Sequence, residues 1–184
     1  MHYEVKIVII GRACAPVTAL VRLLPEARSA VAFQAAVGRL RGEWSKLVSW
    51  RDTASEAAQG DLDGLLDSAL TMAEQRLSER GEFYPFALVV DRSGATEVVA
   101  AGTGSAQRAQ ELNVRAVVGM RADIRAAALV VDVRLPETGG DGIEVHLEHA
   151  EGTALSVLEP YRVEHGAVIT GQLEAFSAQR RIWQ

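Results

Sequence analysis

Residues 61–101, DLDGLLDSALTMAEQRLSERGEFYPFALVVDRSGATEVVAA, change their hydrophobic period partway along, and that change decides the fold class. In the first half Leu62, Leu65, Leu66, Ala69, Met72, Ala73 and Leu77 recur at spacings of three and four, which lines one face of a helix. Asp61, Asp63 and Asp67 gather at its start, where carboxylates oppose the helix dipole, and Gly81 supplies a stop. In the second half, the runs 83–91 and 95–101 flank the turn Asp91, Arg92, Ser93, Gly94, which predicts two strands paired as a hairpin.

Downstream the alternation of elements continues. Ser105 is placed to cap a second helix whose stripe is Ala109, Leu112, Ala116, Val117, Met120 and Ile124, with Gly119 able to bend or end it. Apolar runs then follow at 128–135, 143–149 and 154–163, with a short one at Val168, divided by Pro136, Gly139, Gly140, Gly142, Gly152 and Gly166. Connections this short favour antiparallel neighbours, because a parallel return needs a crossover of about a dozen residues. The expectation is an α+β fold: one antiparallel sheet of five to six strands with two main helices on one face. Residues 172–184 are read as ending in a short helix anchored by Leu173, Phe176 and Trp183.

Upstream the pattern is poorer. One strand is expected at 4–10, then helical pieces at 17–24 and 26–47, the latter weakened by Gly38 and Gly42. Gly60 marks a boundary between a less regular β/α extension, 1–60, and the α+β domain, 61–184. The charge divides in the same place: the first 60 residues carry a balance of +3 and the rest −8, for a net −5. An acidic chain lacks the basic surface that phosphate binding requires, so no nucleic-acid partner is expected. No apolar run approaches the ~20 residues of a membrane-spanning helix. The single cysteine, Cys14, rules out an internal disulfide, and the cytoplasm is the expected location.

The most chemical-looking residues are Glu144, His146 and Glu148, which alternation puts on one face of a strand. Imidazole and carboxylates together are divalent-metal ligands. The outer two Cα atoms stand about 14 Å apart along a strand, so one ion would take His146, one glutamate and ligands from neighbouring strands, where Asp132 and Arg134 fall. The competing reading is the solvated polar face of an amphipathic strand. His149 has the opposite parity and reads as a strand-end residue, His165 beside Gly166 as an exposed turn. Asp61, Asp63 and Gly64 echo a calcium loop, but its closing glutamate is replaced by Met72. Cys14 follows a buried strand and Gly11, yet neither dinucleotide nor phosphate-loop glycine patterns are present, so no cofactor is expected. Gly102, Gly104 and Ser105 offer amides at a helix start, as any capped helix does.

Glu82, Phe83, Tyr84, Pro85, Phe86 and Ala87 form the most distinctive short run. Pro85 suits a strand start, and Phe83, Tyr84 and Phe86 are candidates for an interface. An acidic helix entering a strand through this Tyr-Pro-Phe step resembles small uncharacterised bacterial α+β proteins over residues 61–170, a resemblance that implies no activity. The sequence therefore points to a non-catalytic interaction or regulatory module, self-associating as a homodimer or holding a protein partner. The alternatives are a small metal-assisted or acid-base enzyme centred on Glu144, His146 and Glu148, and a small-molecule sensor.

Overall fold

A computed structural model of the chain describes residues 7–8, 50–101, 104–136 and 139–184. In chain order these hold β1 (Ile7–Val8), α1 (Trp50–Thr53), α2 (Glu56–Arg80), β2 (Phe86–Asp91), β3 (Thr96–Val99), α3 (Ala106–Met120), β4 (Ile124–Arg134), β5 (Asp141–His149), β6 (Ala154–Glu164), β7 (Ala167–Thr170) and β8 (Glu174–Ser177). Trp50–Ala54 fall in a different compact unit from Ser55–Gln184. Within that stretch the Arg51 guanidinium lies 4.5 Å over the Trp50 ring, and the Ala54 amide closes one turn on the Trp50 carbonyl.

The expected helix at residue 61 is longer than its stripe suggested. Ser55 caps it by accepting the Ala58 amide, it runs unbroken across Gly60, and Gly81 ends it at φ 74° with its amide on the Leu77 carbonyl. Its buried face is Ala58, Leu62, Leu65, Ala69, Leu70, Ala73 and Leu77. Small and large side chains alternate there, which lets the backbone lie close to the sheet.

The sheet is α+β and antiparallel, as expected, but larger than five to six strands. The order is β3-β2-β4-β5-β6-β7, with β8 also on β6 and β1 on β4. β7 and β8 share one edge of β6: residues 161–164 pair with β7 and residues 155–158 with β8. β1 adds a two-residue parallel contact at Val133 and Arg134. Residues 172–184 contain β8 and then an irregular tail in place of the expected short helix.

The two long helices lie on opposite faces of the sheet, and the expectation of one shared face is corrected. Ala87, Val89, Ala127 and Leu129 form one core cluster with Val117 of α3. The intervening residues point the other way: Phe86 meets Arg76 of α2, and His149, paired in register with Ala126, meets Asp61 of α2. The sequence carried this signal, because Phe86 to Val90 are all apolar and all buried, the mark of a strand covered on both sides. β4 is similar, and its Ala126, Ala127 and Ala128 have no exposed surface. Alanine-rich sequence has weak strand propensity, which hid the first turn of this strand; here burial between two helices selects the small side chain. Ile124, assigned above to the second helix, begins β4.

Asn113 sits at the phase of a core residue in α3, between Ala109 and Val117, and is 2% exposed. Its Oδ1 accepts the Ala101 amide at 2.9 Å and its Nδ2 donates to the Pro85 carbonyl at 2.7 Å, fastening both ends of the hairpin to the helix. Asn113→Ala leaves two backbone groups without partners and is expected to lower unfolding free energy by about 2 kcal/mol. Urea denaturation checks this. Asn113→Asp, which keeps the acceptor and loses the donor to Pro85, should fall short of wild type as well.

Candidate functional site

The strand periodicity placed Glu144, His146 and Glu148 together correctly: all three face the α3 side of β5. What they do there follows from burial. His146 is 3% exposed and Glu148 is fully buried, so neither is part of a solvated polar face. The His146 Nε2 lies 2.8 Å from a Glu148 carboxylate oxygen. The same carboxylate accepts the backbone amides of Arg181, Ile182 and Trp183 from the C-terminal tail. Burial pushes the Glu148 pKa up, but the His146 bond and the Arg181 and Ile182 amides outweigh it and hold the group below its ordinary value. Glu148 is thus an ionised anchor for the tail, and its lone pairs are occupied.

Glu144 turns aside to accept the Ser156 hydroxyl at 2.8 Å. His146 and Glu144 also line a pocket of about 100 Å³ together with Gln110, Leu129, Val131 and Arg181. That is well below the roughly 300–1,000 Å³ of ordinary small-molecule sites. Among the described residues no three His, Cys, Asp or Glu side chains stand together as a metal-ligating group.

On the opposite face Asp61 and His149, read separately from the sequence, come together with Arg125. The β2–β4 register skips Arg125 between Val90 and Asp91, and this irregularity aims its side chain at α2. Its Nε and one terminal nitrogen hold the two Asp61 oxygens at 2.7 and 2.8 Å, a bidentate pair. The His149 Nε2 approaches Asp61 at 3.4 Å without a directed hydrogen bond, while its Nδ1 accepts the Glu151 amide. The Asp61 carboxylate is a tie between helix and sheet, not a calcium-loop ligand.

Phe86 is 1% exposed and Phe83 8%, both core, whereas Tyr84 is 52% exposed; of the three interface candidates only Tyr84 reaches solvent. Ser105 caps α3 through the Arg108 amide, and Gly102 and Cys14 lie outside the described residues. His165 occupies an exposed turn at φ 53°. Asn113, Arg125, Arg181 and Ile182 went unread, and Trp183 was read only as an anchor of a short helix. Only Asn113 left a trace, as a polar side chain in phase with a core stripe. No described helix is long and apolar enough to cross a membrane. Comparison with known proteins finds no family model, no curated protein and no solved structure that matches this chain.

Proposed function

We propose that the domain is a non-catalytic interaction module of the cytoplasm that associates with a second copy of itself along the outer edge of β8. The observation that carries this reading is the state of that strand. All four residues of β8 are exposed, and among the described residues it is paired on one side only, to β6. Phe176 is 45% exposed and Leu173, just before the strand, 44%. An edge strand with bare amides and carbonyls beside large apolar side chains is a template for strand addition.

Self-pairing suits the sequence of the strand. Two β8 strands running antiparallel about their midpoint set Glu174 opposite Ser177 and Ala175 opposite Phe176, so no like charges meet. The polar residues that would have argued for chemistry are committed to structural bonds, and the pocket beside them is small. Light scattering over a wide concentration range tests the proposal. Wild type should gain mass towards a dimer and Phe176→Asp should stay monomeric, with an unchanged urea midpoint because the ring is half exposed. A wild type that remains monomeric throughout rejects it.

A further inference from the structure

On the α3 face of the sheet two successive cross-strand pairs, Leu129 with His146 and Val131 with Glu144, form the floor of the pocket of about 100 Å³. Gln110 of α3 and Arg181 of the tail complete its lining. The floor is split along the strands. Its β4 half is apolar, Leu129 and Val131 each being 4% exposed, and its β5 half is polar.

The lining is held from behind. The His146 Nε2 is 2.8 Å from the Glu148 carboxylate, and the backbone amides of Arg181 and Ile182 donate to that same carboxylate. With Ile182 buried in the core cluster, the tail is fixed where it borders the pocket. The two charged side chains of the lining are not spent on each other. Glu144 accepts the Ser156 hydroxyl through its Oε1, and the Arg181 backbone, not its guanidinium, is what binds the tail to Glu148. A preformed concavity thus offers an anion, a cation and an apolar strip, the small set of convergent groups by which a binding site orients its ligand.

We propose that this pocket binds a small free amino acid, glycine or alanine in size, with its ammonium at Glu144, its carboxylate at Arg181 and its carbon atoms on Leu129 and Val131. Charge selects the zwitterion. A lone anion drawn to Arg181 also meets the Glu144 carboxylate, and a lone cation drawn to Glu144 also meets the guanidinium, whereas a zwitterion satisfies both. Volume selects the side chain. An apolar cavity of about 150 Å³ takes one benzene, so one of about 100 Å³ admits roughly four to six heavy atoms, which includes glycine and alanine and excludes leucine. The Gln110 amide, with both a donor and an acceptor, can serve either end of such a ligand. Every lining residue comes from one copy of the chain, so the site does not depend on association at β8.

Titration of the whole, isotopically labelled chain with glycine and with L-alanine, followed by amide NMR, tests the site. The signals of Gln110, His146 and Arg181 should shift saturably and with one midpoint. Acetate and methylammonium, each carrying half of the ligand's charge pattern, should bind about tenfold more weakly, the usual effect of losing one charged hydrogen bond. L-leucine should not bind. Glu144→Gln still accepts from Ser156, and Arg181→Gln still donates its backbone amide to Glu148, so both should keep the wild-type urea midpoint while weakening glycine binding about tenfold. No saturable shift with glycine or alanine means a pocket filled by water alone and overturns the proposal. Acetate bound as tightly as glycine, leucine bound as tightly as alanine, or undiminished binding in both variants overturns it too. Binding by a chain that stays monomeric leaves the site standing and rejects only the association at β8, so the two failures are distinct.

Discussion

Glu148→Ala is expected to lower the unfolding free energy by about 3–5 kcal/mol, the usual cost of removing one partner from a buried charged pair. Three consequences add up in that change. His146, 3% exposed, loses the carboxylate at 2.8 Å. The amides of Arg181, Ile182 and Trp183 lose their common acceptor. Ile182, 2% exposed and packed in the cluster with Val117 and Leu129, then has no polar clamp holding it in place. Hydrogen exchange should show the tail amides unprotected in the variant, and urea denaturation gives the energy. Glu148→Gln should lie between, because its amide oxygen still accepts while its NH₂ faces backbone donors. The pH dependence of wild type supplies an independent check. A folded pKa below the ordinary value means that the Glu148 contribution is complete above about pH 4.5 and is lost as the pH falls through the lowered folded value.

Elements set by local period were legible. The helix over Leu62 to Leu77, its Gly81 stop, the Ser105 cap, the hairpin turn at Gly94 and the shared face of Glu144, His146 and Glu148 all follow from spacing and turn chemistry that neighbours in sequence impose. What was not legible depends on partners far along the chain. The side of the sheet on which a helix packs is not written in the helix, and the apolar run at Phe86 to Val90 was the clue that both sides are covered. The polar face of β5 reads as solvated or metal-binding until the tail, some 33 residues later, arrives to occupy Glu148. Arg125 lies between the expected helix stripe ending at Ile124 and the strand expected from 128, and only the skipped register turns it toward Asp61. Periodicity thus put Glu144, His146 and Glu148 on one face of one strand, while their burial and bonding partners are properties of the assembled layers.

Phe86→Ala is expected to cost about 3–5 kcal/mol of stability, the range for deleting a buried aromatic side chain from a packed core. The ring is 1% exposed, meets Phe83 edge-on at 5.8 Å and 69°, and carries the Arg76 guanidinium 4.3 Å above its face. Truncation removes the packing, the aromatic pair and the ring face under the half-buried Arg76 guanidinium together. Phe86→Leu refills most of the volume and should recover roughly half of the loss. The same variant separates two roles for the aromatic step at residues 83–86. An aromatic used for docking can be removed with association lost and stability kept, the behaviour expected of Phe176. A core aromatic shows the reverse: the urea midpoint falls, while the dimer mass measured below the unfolding transition is retained. Phe86→Ala with an unchanged urea midpoint would mean that this ring does not bind α2 to the sheet, and the two-sided burial of β2 on which the layer order rests would go with it.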